Sequence, residues 1–320
     1  MHTTTYESVP GTAGLQRDSW SKRLQKDLVK NKMLYLLVLP VIIFYIMFCY
    51  VPMYGVIIAF QDYDPASGFL GSAFVGLQNF RDFFSSVYFW RILKNTLVIS
   101  ISTLVFGFPA PILLALFINE LTNKKFVKTV QTATYLPHFI SLVVVCGMIK
   151  DFTNADGIIT GFLALFGRDR MSLLMDPKMF VPVYVISNIW QEIGWGSIIY
   201  FAALAGIDAE LYEACRIDGG GRLRQAWHIT LPGILPTIVI LLILRIGGIL
   251  NVGYEKIILL YNQTTYVTAD VISSFVYRKG LQEYNWSYGT AVGIFNSVIN
   301  IMFLLGSNYL SRRLTETSLW

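Results

Sequence analysis

Residues 206–238 read GIDAELYEACRIDGGGRLRQAWHITLPGILPTI, a polar stretch that lies between two long apolar runs. Asp208 can cap the start of a helix, and Glu210 in the first turn interacts favourably with the helix dipole. Three consecutive glycines, residues 219–221, can end that helix. A short basic helix is expected over 222–229, before the chain becomes apolar again. The stretch predicts a stiff helix-turn-helix outside the bilayer, with a surface suited to docking against a cytoplasmic partner.

The composition around this loop is that of a membrane protein. Hydrophobic residues make up 54% of the 320 residues, and the mean hydropathy is +0.54. Charged residues make up only 14%, whereas a soluble chain carries roughly 25%. These values exclude a disordered chain, a fibrous repeat, a disulfide scaffold and most soluble enzymes. The basic residues lie between apolar runs rather than on one soluble surface, so no nucleic-acid partner is expected.

Six apolar segments are long enough to cross a bilayer, which requires about 20 residues of helix. They span residues 33–60, 96–118, 130–149, 181–204, 233–250 and 290–310. We therefore predict an all-α, polytopic membrane protein with six transmembrane helices, embedded in membrane lipid, with the quoted loop between helices 4 and 5. Prolines inside several segments are compatible with kinked helices around a cavity and equally with ordinary membrane-helix prolines.

The basic residues predict the orientation, because short cytoplasmic loops are enriched in lysine and arginine. With the N-terminus inside, the inner side receives the basic clusters at 17–32, 124–128, 216–224 and 312–313. Both termini are therefore expected in the cytoplasm. The predicted organisation is a cytoplasmic N-terminal segment (1–32), a transmembrane domain (33–310) that contains the loop 206–232, and a cytoplasmic tail (311–320).

The loop resembles the EAA loop of binding-protein-dependent ABC importer permeases. That family's pattern is Glu-Ala-Ala, three residues, Gly, nine residues and Ile-x-Leu-Pro. The corresponding residues here are Glu213, Ala214, Cys215, Gly219, Ile229, Leu231 and Pro232. Cys215 is the one departure, and it is a small residue in place of the second alanine. The resemblance implies that the helix starting at Asp208 is a coupling helix, with Glu213 as its charged anchor on an ATPase.

Other stretches resemble one branch of these permeases, the carbohydrate-uptake group that serves complex oligosaccharides and polysaccharides. They are VPMYGVIIAFQDYDP at 51–65, YLPHFIS at 135–141, LNVGYEKIILLYN at 250–262 and NYLSRRLTETSLW at 308–320. Within this branch the chain looks like a subunit of importers of uronate-containing oligosaccharides, such as alginate or aldouronate fragments.

The resemblance implies a division of labour among subunits. This chain would be one type I permease subunit of a heterodimer, with two ATPase subunits below it and an extracytoplasmic solute-binding protein above it. It would lie in the bacterial cytoplasmic (inner) membrane and move an oligosaccharide without being an enzyme itself. The chain has no Gly-x-x-x-x-Gly-Lys-Ser/Thr phosphate loop, so ATP and Mg²⁺ are expected on the ATPase subunits, and no cofactor or metal is expected here.

Candidate substrate-path residues lie in and just after the fourth and fifth predicted spans. They are Trp190, Gln191, Glu192, Trp195, Arg245, Asn251 and Tyr254. The aromatic and hydrogen-bonding groups at 190–195 suit sugar rings, but they also suit helix packing and an interfacial aromatic belt. Arg245 in mid-span costs about 2.5–3.5 kcal/mol on insertion scales, so it should face protein or water. It is expected to pair with Glu192 or to contact an anionic sugar, and His138 to be a packing residue.

Two other classes of function are weighed against this one. An ion-coupled secondary transporter would favour paired intramembrane carboxylates, and Glu192 is the one acidic candidate within the predicted spans. An integral membrane enzyme would need catalytic or metal-binding side chains at suitable spacing, and the sequence offers no such pair. Co-purification with an ATPase discriminates the importer from both alternatives.

Overall fold

The structure is a computed structural model that describes residues 26–315 and residue 319. Most of the predicted segment 1–32, and residues 316–318 and 320 of the predicted tail, lie outside the described residues. The chain divides into two compact units, one up to Val56 and one from Ile57 onward. Nearly all its regular structure is helical, so the all-α prediction is confirmed.

The first apolar run forms one candidate membrane span, Lys32–Phe60. It consists of α1 (Lys32–Tyr45), a π-helical turn (Ile46–Tyr50), α2 (Val51–Met53) and a 3₁₀ helix (Tyr54–Phe60). The apolar residues of α1 surround the whole helix rather than one face, a pattern typical of helices in contact with lipid.

The second unit begins with a short antiparallel hairpin. Strand β1 (Gln61–Asp62) pairs with β2 (Ala73–Phe74), and α3 (Gly68–Gly71) lies between them. The helices that follow are α4 (Gln78–Ser85), α5 (Phe89–Ser102), α6 (Pro109–Asn119), α7 (Lys124–Tyr135), α8 (Leu142–Thr153), α9 (Ile158–Ala164), α10 (Pro177–Leu204), α11 (Ala209–Ile217), α12 (Arg222–Gln225), α13 (Leu231–Gly247), α14 (Tyr254–Leu260), α15 (Tyr266–Ala269), α16 (Ile272–Val276) and α17 (Trp286–Thr315). The π-helical turns of this unit are Thr103–Gly107, Ala226–Thr230 and Tyr277–Gln282, and its 3₁₀ helices after the hairpin are Leu136–Phe139 and Leu173–Met175.

Four continuous helices of the described chain are long and apolar enough to cross a membrane. They are Lys32–Phe60, Phe89–Asn119, Arg222–Gly247 and Trp286–Arg313. Each of them contains most of one predicted span. A fifth candidate is a bent pair, Lys124–Phe139 and Leu142–Ala164, whose halves meet at 102°.

The third and fourth predicted spans differ from simple apolar helices. The third, 130–149, is not one continuous helix. At Ile140 and Ser141, just after Pro137, the backbone leaves the helical conformation and becomes extended. The fourth, 181–204, lies within the 28-residue helix α10, whose middle carries polar side chains that lower its hydropathy. The count of six therefore stays a prediction.

Helix α10 lies at the centre of the packing in the second unit. Its first half, with Phe180 and Tyr184, packs in a hydrophobic cluster with α5, α8 and α14. Its second half, with Tyr200 and Leu204, packs with α6 and α13. Another cluster around Phe83 joins α4, α5, α16 and α17. Because α10 belongs to two of these clusters, it fixes the helices on both of its sides.

A buried carboxylate ties the segment after α15 to α5. Asp270 is fully buried and accepts hydrogen bonds of 2.6 and 3.1 Å from the guanidinium of Arg278. Arg91 of α5 lies 3.7 Å from the same carboxylate, and the amide of Asn95 donates to the Asp270 carbonyl at 3.0 Å. Burying a charge costs several kcal/mol unless it is paired, so this cluster fixes the segment beside α5.

The backbone of α10 touches that of α7 at one glycine. A Cβ at Gly194 would overlap the carbonyl of Thr134 and lie 2.8 Å from the backbone nitrogen of Tyr135. Small residues allow membrane helices to approach in this way.

We predict that Gly194→Ala destabilises the chain, because backbone atoms must move to admit the methyl group. Overpacking typically costs about 1–3 kcal/mol, which exceeds the gain of about 0.5–1 kcal/mol for alanine over glycine in a helix. Thermal unfolding in detergent should show a melting temperature several degrees lower. The control is Gly293→Ala in α17, where the new methyl group meets nothing within 4 Å, so stability should be unchanged or higher. Equal melting temperatures for both variants would contradict this account.

Candidate functional site

The polar loop folds around the helix expected there. Asp208 caps α11, because its carboxylate accepts the backbone N–H of Glu210 at 2.9 Å. The helix ends at Ile217, and two residues later Gly219 turns the chain with a φ of +76°, a conformation that glycine adopts without steric cost. Sequence reasoning located both ends from local chemistry alone.

Gly220, which the sequence analysis did not single out, makes the turn compact. The N–H of Gly220 donates to the carbonyl of Cys215 at 2.7 Å. The carbonyl of Gly220 accepts a hydrogen bond of 3.1 Å from the side-chain amide of Gln225. A Cβ at Gly220 would overlap Cys215 Sγ and lie 2.8 Å from the Cys215 carbonyl oxygen. The run of three glycines was the available signal, but only the folded turn reveals which one is sterically required.

The helix after the turn differs from the prediction. Instead of a separate basic helix over 222–229, α12 continues through the π-helical turn Ala226–Thr230 into α13 as one helix, Arg222–Gly247. The π-helical turn keeps the backbone helical where a break was expected. Ile229 therefore lies in that turn, and Leu231 and Pro232 form the first turn of α13.

The loop exposes large apolar side chains among its charged ones. The exposed large apolar side chains are Leu211, Ile217, Leu223 and Trp227, of which Ile217 and Leu223 retain 86% and 88% of their accessible surface. Glu213 is exposed among them, as is Ala214, while Cys215 is half-buried. The carboxylate of Glu213 has no hydrogen-bond or ion-pair partner among the described residues. Tyr212 instead faces inward, and its hydroxyl lies 3.1 Å from Thr230 Oγ1.

A cavity of about 470 Å³ lies within the second unit. Its walls come from α5, α10, α14, the end of α13 and the bend between α7 and α8. The polar residues that line it are Ser100, Thr103, His138, Tyr184, Asn188, Gln191, Glu192, Arg245, Asn251, Glu255 and Lys256. The described residues contain no group of three or more His, Cys, Asp or Glu side chains able to hold a metal ion.

Four of the seven substrate-path candidates line this cavity. They are Gln191, Glu192, Arg245 and Asn251. Trp190, Trp195 and Tyr254 do not line it. Trp195 packs against His138, Tyr254 stacks on Tyr277 with ring centroids 5.3 Å apart, and Trp190 is largely exposed.

The carboxylate of Glu192 is paired with His138, not with Arg245. His138 Nδ1 lies 3.1 Å from Glu192 Oε2, and the His138 ring is parallel to that of Trp195 at 4.4 Å. The bend after Pro137 brings His138 beside α10. The sequence analysis assumed a continuous third span and therefore did not predict this contact. Arg245 is exposed to the cavity and has no ion pair or hydrogen bond among the described residues.

Lys256 is the functional candidate that sequence reasoning missed. It is 5% exposed, its Nζ lies 3.4 Å from Gln191 Oε1, and it lies 5.5 Å from the centre of the Tyr184 ring. Burial lowers the pKa of this amine to about 8, since water no longer stabilises the charged form. A charged residue within the apolar run YEKIILL was the signal in the sequence.

Comparison with known proteins assigns the fold to a family. Residues 107–316 match the family described as binding-protein-dependent transport system inner membrane component. The chain belongs to this family. The inferred resemblance to ABC importer permeases is thereby confirmed, and the chain is a membrane component rather than a catalytic subunit.

Curated relatives cover nearly the whole chain. It is 44% identical over 300 residues to the polygalacturonan/rhamnogalacturonan transport system permease protein YteP of Bacillus subtilis (strain 168), covering 93% of this chain and 94% of that protein. It is 42% identical to Protein LplB of the same strain, covering 94% of each.

A solved structure has the same fold. A chain of a bacterial alginate ABC transporter, crystallised in complex with an alginate pentasaccharide-bound periplasmic protein, is 46% identical with a TM-score of 0.85, covering 93% of this chain and 100% of that chain. The prediction of a type I ABC importer permease fold is confirmed by this likeness.

We predict that Gly220→Ala distorts the turn after α11, because the added methyl group meets Cys215 with no room to move. Gly221→Ala is the matched control, because a Cβ at Gly221 meets nothing within 4 Å and its φ of −73° suits alanine. Hydrogen–deuterium exchange of residues 209–230 in the purified protein should accelerate severalfold in the first variant only. Indistinguishable exchange in the two variants would show that Gly220 is not sterically required.

Proposed function

We propose that this chain is the permease subunit of an ATP-driven ABC importer. It takes up oligosaccharides or polysaccharide fragments, including uronate-containing ones such as alginate, delivered by an extracytoplasmic solute-binding protein. The observation that carries the proposal is the cavity, which has a polar and charged wall inside a helical membrane domain. In lipid such side chains are costly unless they face protein, water or a ligand.

The substrate class is supported by the relatives and by the cavity. YteP is named for polygalacturonan and rhamnogalacturonan transport, and the solved neighbour belongs to an alginate transporter. These polymers consist wholly or partly of uronic acids, so their fragments carry carboxylates as well as hydroxyl groups. Arg245 faces the cavity and has no partner within the described chain, so its guanidinium is available to the carboxylate of an anionic sugar.

The partners follow from the loop and from the family. A second permease subunit completes the pathway, and two ATPase subunits bind ATP and Mg²⁺. The exposed apolar residues of the loop, around Glu213, form the surface on which one ATPase subunit docks. Both termini lie in the cytoplasm, on the side of the loop.

Transport then proceeds by a rigid-body movement. ATP closes the ATPase dimer, and α11 moves with the subunit that holds it. Because α12, the π-helical turn and α13 form one helix, displacement at Arg222 is transmitted to Arg245 at the cavity. Access to the cavity alternates between the two sides of the membrane.

The test of this function is uptake by the complete complex in liposomes, with its binding protein and a panel of neutral and uronate oligosaccharides. We expect ATP-dependent accumulation of a sugar and ATP hydrolysis that rises when the loaded binding protein is added. A complex without ATPase subunits, with uptake driven by a proton or sodium gradient, would replace the proposal with a secondary transporter.

We predict that Glu213→Ala leaves the chain inserted and assembled but uncouples ATP hydrolysis from transport. Losing a charged hydrogen bond at an interface costs about 1.5–3 kcal/mol, so sugar uptake per ATP should fall at least tenfold. Glu283→Gln, which removes an exposed carboxylate paired with Lys279 in another part of the chain, should leave this ratio unchanged. Normal coupling in an intact Glu213→Ala complex would exclude the anchoring role.

A further inference from the structure

Lys256 is a buried cation that forms no ion pair with a carboxylate in the part of the chain that the structure describes. Its amine contacts the amide oxygen of Gln191 and the ring of Tyr184, neither of which carries a negative charge. Among the described residues no acidic side chain lies within ion-pair distance of it. A buried amine is costly when unpaired, and a charged hydrogen bond from outside the protein would offset this cost.

The acidic groups of the cavity do not fill this role. Glu192 is engaged with His138 at 3.1 Å, and Glu255 is exposed at the start of α14. Neighbouring residues on a helix project about 100° apart, so Glu255 and Lys256 occupy different faces of α14. Among the described residues, the cavity wall therefore presents two cations without ion pairs, the ammonium group of Lys256 and the guanidinium of Arg245, together with the exposed carboxylate of Glu255.

Two hydroxyl groups of α5 and the π-helical turn after it complete the polar wall. Ser100 and Thr103 both line the cavity and are 9% and 7% exposed. They lie three residues apart, hence on one face of the helix. Neither Ser100 Oγ nor Thr103 Oγ1 has a hydrogen-bond partner among the described residues. Buried hydroxyl groups are normally hydrogen-bonded, so unpartnered ones in a cavity wall indicate a polar ligand.

We propose that these groups form a uronate subsite, in which Lys256 binds the sugar carboxylate and Ser100 and Thr103 bind ring hydroxyls. The inference rests on the proposed function, and adds to it the residues that distinguish an acidic sugar from a neutral one. Gln191 is a positioning residue, because its amide oxygen holds the amine at the cavity wall. Arg245 supplies a second, more exposed positive charge.

The experiment measures binding of two matched probes to the complete transporter in nanodiscs, without the binding protein. The probes are trigalacturonate and its fully methyl-esterified form, which keeps the rings and free hydroxyls but lacks the charge. We expect the wild-type complex to bind the acid at least tenfold more tightly than the ester. Lys256→Met should reduce this preference at least about fivefold, since only Arg245 then supplies a positive charge, while leaving binding of the ester within about twofold.

Further variants separate charge from structure. Lys256→Met removes a buried charge and keeps a chain of similar length, so it should fold, and Lys256→Gln provides a second neutral variant. Lys178→Gln removes an exposed lysine outside the cavity and should bind both probes as the wild type does. Ser100→Ala with Thr103→Val should weaken the acid and the ester by the same factor, about tenfold.

The outcomes distinguish this subsite from the proposed function. A preference for the acid that is undiminished in Lys256→Met and Lys256→Gln would overturn the subsite, as would a wild-type complex that binds neither probe or both equally. Uptake assays on the same preparation test the function independently. ATP-driven uptake of oligosaccharides with an unchanged acid preference in the variants would retain the importer and reject only the role of Lys256.

Discussion

The polar middle of α10 is the constraint on which the rest of the second unit depends. This helix places Asn188, Gln191 and Glu192 at the depth of an apolar membrane domain, where contact with lipid would be costly. Other helices must therefore shield them. The bend between α7 and α8 brings His138 to Glu192, and α14 brings Lys256 to Gln191. The cavity is the space left among these groups.

The continuity of the helix from Arg222 to Gly247 connects the two regions to which we assign functions, the polar loop and the cavity. At 1.5 Å per residue, its 26 residues span about 39 Å. One end carries the loop on which we place the ATPase, and the other reaches the cavity. Had the basic segment been a separate helix, as the sequence suggested, a flexible joint would lie between them. The π-helical turn instead maintains the backbone hydrogen bonding through the membrane boundary, so the two ends move together.

The sequence predicted those features that depend on residues close to one another in the chain. The cap by Asp208 needs only the N–H of Glu210, and the end of α11 needs only a glycine, so both could be located in advance. The cavity could be predicted only in part. His138 and Glu192 lie 54 residues apart, and Lys256 and Gln191 lie 65 apart, so these pairings follow from the bend and from the helix packing. Of the two alternatives for Arg245, the pairing with Glu192 is not the one that the structure shows, because the bend supplies Glu192 with His138 as its partner. The apolar runs identified most spans but could not reveal a break at Ile140 and Ser141.

The π-helical turn Thr103–Gly107 has a consequence for how such a wall changes over evolution. A π-helical turn accommodates one more residue than an α-helical turn, without interrupting the helix. Loss of a single residue there would restore ordinary α-helical geometry and leave α5 and α6 in nearly the same orientation, because the wider turn is what absorbs the extra residue. In a plain α-helix the same change of length would rotate one half against the other by about 100°. The turn therefore allows the chain to differ in length by one residue at this point while Ser100 still faces the cavity.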